Sequence, residues 1–162
     1  MEMQNHKTQH TAKGHSHHYK KLLLMSVLAF VAMYILMYSM ADAISNVYPN
    51  INQFYMAGLM TMPMIIIEII LMNSMYMNKR LNAIIISLSG AALIVFYLGI
   101  RMQAGVTDKQ FLKGMIPHHA AAILMSKKAP SQDPDIKKLQ EEIISSQQRE
   151  IEQMKAKLKE LK

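Results

Sequence analysis

Hydrophobic positions gather into three long runs before residue 101 and break into periodic stripes after it. From Leu22 to Ala41 the sequence LLLMSVLAFVAMYILMYSMA carries no charge, and about twenty apolar residues suffice to cross the hydrocarbon core of a bilayer. A second run spans Phe54 to Met75 and contains Pro63 and Glu68; a third spans Leu81 to Ile100. Asp42, Asn46, Pro49 and Asn50 predict a turn between the first two, and Asn78, Lys79 and Arg80 punctuate the second gap. In the third run, Ser87, Ser89, Gly90, Ala91 and Ala92 predict a face that lets a neighbouring span approach.

Beyond residue 101 the period changes. Thr107-Asp108-Lys109-Gln110 has the capping-box form, with a hydroxyl to receive a backbone N–H and a Gln three residues on to reach back. Phe111, Met115, Ile116, Ile123 and Leu124 follow at helical spacing, with Pro117 predicting a kink or a fresh helix start. Ala129 to Asp133 reads as a turn, and Asp133-Pro134 as the cap and first residue of a second helix. That helix carries Ile136, Leu139, Ile143, Ile144, Ile151, Met154, Leu158 and Leu161 as an amphipathic stripe. A turn this short makes the two helices antiparallel neighbours. Counting back from it sets His118 and His119 opposite Ser145 to Gln147.

The expected fold is therefore all-α: three transmembrane helices (about 22–41, 54–75 and 81–100, within a membrane domain of 22–101), then a soluble antiparallel two-helix hairpin over 105–162. Residues 1–21 are polar and basic, with His6, His10, His15, His17 and His18, and bury nothing, so a disordered tail is expected there. Lys20-Lys21, an apolar run and Ala41-Asp42-Ala43 have the layout of a cleaved signal peptide, but the run is long for one and an uncleaved span is preferred.

Charge adds an orientation. The formal net charge is +7. Lys and Arg flank the first run and fill the Lys79-Arg80 loop, whereas Asp42 to Gln53 has neither. The N-terminus is therefore expected in the cytoplasm and the hairpin outside, in periplasmic space, with a bacterial cytoplasmic (inner) membrane as the setting. No basic groove interleaved with aromatics is present, so the expected partner is the lipid bilayer and not nucleic acid. The chain has no nucleophile elbow, phosphate loop or HExxH, so an enzyme is not expected.

Cysteine is absent, which removes disulfides and thiolate metal sites, but there are 17 methionines and 7 histidines. Thioether sulfur is a soft ligand, and with neutral imidazole it suits Cu(I). Met115-Ile116-Pro117-His118-His119, followed by Met125, places Met115 and His119 four apart and His118 and Met125 seven apart, each pair sharing a helix face. Two surface histidines beside a core methionine would show the same spacing. In the second run Met60, Met64, Glu68 and Met72 recur at four-residue steps, a possible intramembrane site. A protonated Glu68 bonded to a neighbouring span, with methionine as filler, is the preferred account of them.

Phe111-Leu112-Lys113-Gly114-Met115-Ile116-Pro117-His118-His119, with Ala122-Ile123 and Met125, then Ile144, Gln147, Glu150-Ile151 and Met154, resembles domain-of-unknown-function family 305. The resemblance covers the C-terminal third. Members include CopM-like periplasmic copper-binding proteins with ferritin-like helical bundles, so it implies copper (Cu(I)) or silver handling and makes the hairpin half of such a four-helix bundle. It implies Met115, His118, His119, Met125 and Met154 as metal ligands, with Gln147 and Glu150 as polar supports around them. Two positions depart from the family pattern: Ala120 where Gln is common, and Lys157-Leu158 where Trp-Leu is common. The resulting expectation is a membrane-anchored soft-metal binding protein of copper or silver homeostasis, a homo-oligomer through its hairpin, in contact with other copper-handling proteins. The alternative is a membrane-anchored oligomerisation module with no metal.

Overall fold

The computed structural model describes the backbone of residues 2–161 and the side chains of residues 17–161. Among the described residues there are five α-helices and no strand: α1 (Glu2–Leu36), α2 (Ile51–Leu71), α3 (Lys79–Arg101), α4 (Asp108–Lys128) and α5 (Pro134–Glu160). Short 3-10 turns at Met37–Met40 and Ile44–Asn46 connect α1 to α2. The expected all-α fold is present, and three segments are long and apolar enough to cross a membrane: His17–Met40, Ile51–Leu71 and Lys79–Arg101.

Their limits differ from those expected. The second begins at Ile51 and ends at Leu71, not Met75. Glu68 accepts the amide of Met72, and the Met75 amide then turns back to the Met72 carbonyl, which closes the helix before Tyr76. In place of the disordered tail expected at 1–21, the backbone from Glu2 onward is helical and continues into the first span, and the side chains before His17 lie outside those described.

The chain divides into two compact units. The first comprises residues up to Tyr34 with Tyr55–Met102. Its outward positions are apolar, among them Leu24, Leu28, Ile67, Ile70, Ile84, Leu88 and Val95, while Ser26, Thr61 and Ser89 are buried. That inversion suits a hydrocarbon solvent, in which apolar surface costs nothing and polar groups seek internal partners. Thr61 donates to the Ala57 carbonyl at 2.7 Å, the bond such a hydroxyl makes to satisfy itself within one helix. The expected small-residue face on α3 is present in part: Ser89 is buried, Ala92 is half-buried, and the Tyr55 ring lies against Gly99. Ser87 and Ala91 are exposed, and a Cβ on Gly90 would meet nothing. Small residues matter on α2 as well, where Ala57, Gly58 and Thr61 are buried and the Phe96 ring occupies the space beside Gly58.

The second unit comprises Ile35–Phe54 and Gln103–Lys162, so the first loop belongs with the hairpin. Thr107 caps α4 by accepting the Gln110 amide, and Asp133 caps α5 by accepting the amides of Asp135 and Ile136. The hairpin core is Ile116, Ala120, Ile123 and Ile151, all buried, with Ala41, Tyr48, Met154 and Leu158 packed on it. Pro117 neither kinks α4 into two helices nor starts a new one; the helix runs through it. A proline there frees the carbonyl four residues earlier. That carbonyl belongs to Lys113, and buried Asn50 in the loop donates its amide to it at 3.5 Å.

Candidate metal centre

His119 sits on the flank of α4 next to the core and is 9% exposed. Its Nδ1 lies 3.0 Å from Glu150 Oε2 on α5. The two atoms are out of line for a hydrogen bond, so the contact is an electrostatic one. Burial holds the imidazole pKa below its ordinary 6.5; Glu150 pulls the other way, and the neighbouring His118 adds to the lowering. The net direction favours the neutral ring, the form that ligates metals. Metal-binding histidines usually donate one ring N–H to a carboxylate and keep the other nitrogen for the ion; Glu150 stands at that distance from His119, and a small turn of either side chain would complete the bond.

The hairpin register decides what lies near this pair. Gln140 Nε2 donates to the Ala129 carbonyl at 3.0 Å. Ten residues back along α4 from Ala129 is His119, and ten forward along α5 from Gln140 is Glu150, so both contacts belong to one antiparallel register. The expected pairing of His118 and His119 with Ser145 to Gln147 is therefore corrected by about one helical turn. The cause is the connection: Ala129 and Asp133 are extended, so α5 starts beyond the end of α4 and the two helices are not symmetric about the turn.

In this register Met115 and Met154, each four residues further from the turn, fall level with one another, one helical turn below His119 and Glu150. Met154 packs on the hairpin core, and Met115 is half-buried. Met115, His119, Glu150 and Met154 thus occupy four corners of one patch across the hairpin. The donors are two thioethers and one neutral-leaning imidazole braced by a carboxylate, a soft set that fits Cu(I) or Ag(I). No three His, Asp or Glu side chains gather into a metal cage among the described residues.

Other predicted residues lie apart from the patch. His118 is exposed on the side of α4 away from the core, with its ring 6.1 Å from that of His119. Met125 is 54% exposed, and two turns, about 10.5 Å along the axis, separate it from His118. Gln147 is half-buried on α5, one turn toward the loop from Ile151.

The intramembrane candidates all lie on or just past the end of α2. Met60 and Met72 are exposed and Met64 half-buried. The partner shown for Glu68 is the Tyr76 hydroxyl, which donates at 3.3 Å. Tyr76 is 4% exposed and packs with Leu22 and Ile69. Burial, then the Glu68 charge, raises its pKa above the ordinary 10.0 and keeps it a donor. Asn82 donates to the Tyr76 carbonyl and accepts from the Tyr19 hydroxyl, each at 2.6 Å. Of the N-terminal histidines, His6, His10 and His15 lie outside the described side chains.

Sequence reasoning passed over Asn50, Tyr76, Tyr19 and Asn82. A signal existed for the first: a proline inside a predicted helix announces a carbonyl in need of a donor. None existed for the others, whose partners lie 59 or more residues away or across a turn.

Comparison with known proteins places this geometry in context. The family model described as Domain of unknown function (DUF305) matches residues 97–158, which include all of α4 and most of α5. The chain is 42% identical over 144 residues to the uncharacterized protein L153 of Acanthamoeba polyphaga mimivirus, across 87% of this chain and 93% of that protein. No solved structure matches.

Proposed function

The chain belongs to the family named Domain of unknown function (DUF305), and from that premise we propose that it is a membrane-anchored protein whose hairpin binds Cu(I) or Ag(I). The observation that carries this reading is the patch of Met115, His119, Glu150 and Met154. The buried ring leans to its neutral form and has a carboxylate against one nitrogen, and two thioethers stand a turn away. Met115, His119 and Met154 hold the ion, with Glu150 against the His119 ring; His118, on the side of α4 away from the core, stands outside this set. The ion is cargo, and the chain's part is to bind it without a thiol. In copper or silver homeostasis that role is buffering or hand-over to other copper-handling proteins.

The three apolar segments serve as the anchor, and the Lys/Arg pattern puts the N-terminus and the Lys79-Arg80 loop on the cytoplasmic side, with the hairpin across the bilayer. A bacterial cytoplasmic membrane with a periplasmic hairpin is the setting proposed from the sequence. The similarity to a viral protein leaves the same topology open to another host's membrane.

A second reading has its own support. Phe111, Met125, Ile136 and Leu139 are each about half-exposed on the hairpin, and exposed apolar side chains in number mark association surfaces. Pairing with a second hairpin completes a ferritin-like four-helix bundle, and as a homo-oligomer the protein serves as an interaction module with or without metal.

The deciding experiment is an anaerobic Cu(I) competition titration of the full chain in detergent, beside His119→Ala and Met115→Leu/Met154→Leu. Stoichiometric binding that both variants weaken by tenfold or more, roughly one ligand's contribution, supports the metal reading. Failure of the folded wild type to compete with a chelator leaves the interaction module.

A further inference from the structure

Midway along α1, where the first apolar run begins, sits charge that no described residue neutralises. Lys20 and Lys21 are exposed at the start of the first span, and among the described residues neither forms an ion pair. Lys79 and Arg80 lie at the same end of the unit, because Tyr19 hydrogen-bonds to Asn82, just after them at the start of α3. Glu68 is the single carboxylate side chain among the described residues of this unit, and it faces Tyr76. Among the described residues of this unit, the four cations at this end therefore have no matching anion.

Below Lys21 runs a groove of about 470 Å³ lined by Lys21, Leu24, Met25, Leu28, Ala29 and Ala32. These residues recur on one face of α1 beside the face that buries Leu22 and Ser26, with Met25 at the border packing on the Leu22 cluster. Ala29 and Ala32 make its floor shallow, and Leu24 and Leu28 stand out beside them. From Lys21 to Ala32 the groove runs about 16 Å down the axis, the depth of one leaflet of the hydrocarbon core. A basic head above an apolar trough one leaflet deep matches one class of ligand.

We propose that this face of α1 is a binding site for an anionic phospholipid, with the headgroup phosphate on Lys21 and Lys20 and an acyl chain laid along Leu24, Met25, Leu28, Ala29 and Ala32. A zwitterionic lipid fills the trough equally well but leaves the lysines unmatched, so charge complementarity selects the anionic class. The site rests on the membrane-anchored reading and is independent of the hairpin's metal.

The test is native mass spectrometry of the full chain released from nanodiscs of equal phosphatidylglycerol and phosphatidylcholine content, with parallel flotation on vesicles of each lipid alone. Wild type retains phosphatidylglycerol over phosphatidylcholine, by roughly fivefold for each engaged lysine. Lys20→Gln/Lys21→Gln loses the preference while still entering the discs. Ala29→Leu/Ala32→Leu, which fills the trough, lowers retention of both lipids. Equal retention by a chain that floats on both vesicles overturns the lipid site alone, as does a preference that survives in the Lys→Gln variant. A two-chain mass in place of bound lipid also overturns it. A chain that floats on neither vesicle overturns this site together with the membrane reading.

Discussion

His119 meets two opposing demands: burial disfavours its charge, and Glu150 invites it. Burial wins in the folded chain, so the folded state holds fewer protons than the unfolded one just below pH 6.5. The sign follows directly. Stability of the metal-free hairpin is complete above about 6.5, falls as the pH drops below it, and levels once the folded ring also protonates. Thermal melts of the metal-free chain followed by circular dichroism at pH 7.5 and 5.5 should show that loss, and His119→Gln should flatten it. At the same scale, Glu150→Gln removes the group that orients the ring while leaving every proposed ligand in place. Cu(I) affinity is expected to fall by roughly 10- to 100-fold, the usual effect of losing such a partner; an unchanged competition titration would remove Glu150 from the site.

Among the elements, α4 survives an internal proline because a residue from the first loop serves it. Asn50 reaches the Lys113 carbonyl that Pro117 frees, and also donates to the Tyr48 carbonyl and to Gln53. Its Oδ1 accepts the Gln53 amide. Asn50→Leu keeps the volume and strands these groups, at a cost of about 1–3 kcal/mol for a buried polar group left unpaired. Denaturant melts of the full chain check the value, with Pro117→Ala expected to relieve part of the loss by restoring an N–H within α4. The hairpin core makes a steeper prediction. Ile123 and Ile151 are almost fully buried, and truncation of either to alanine is expected to cost about 2–5 kcal/mol. The same change at exposed Ile136 should be near neutral in a monomer; a large loss there would reveal a partner hairpin covering it.

For the molecule as a whole, the chain divides into two units whose burial patterns are opposite. The first unit turns apolar side chains outward and buries Thr61 and Ser89; the second buries Ile116, Ile123 and Ile151 and exposes charge. Gly58 marks where the first unit is least forgiving, since an added Cβ would lie 2.5 Å from the Phe96 ring. Gly58→Val is expected to lower thermal stability in detergent by about 1–3 kcal/mol through overpacking, with Phe96→Ala in the same chain restoring part of it. No change in the melting temperature would show that Phe96 simply swings aside.

By itself the sequence determined which segments are long and apolar enough to cross a membrane and the type of each element. Runs such as Leu22 to Ala41 and stripes such as Ile136 to Leu161 report burial through their period, and Thr107 and Asp133 announce helix starts through local bonds. Through its family resemblance it also offered Met115, His118, His119, Met125 and Met154 as soft donors. Only the tertiary structure decided which of these come together, because register and long-range partners depend on contacts between residues far apart in the chain. The extended link between Ala129 and Asp133 moved the pairing by a turn and set His119 against Glu150. Asn50 found its carbonyl 63 residues away. Neither distance leaves a periodic trace, since the free energy that fixes it belongs to packing between elements and not to any one of them.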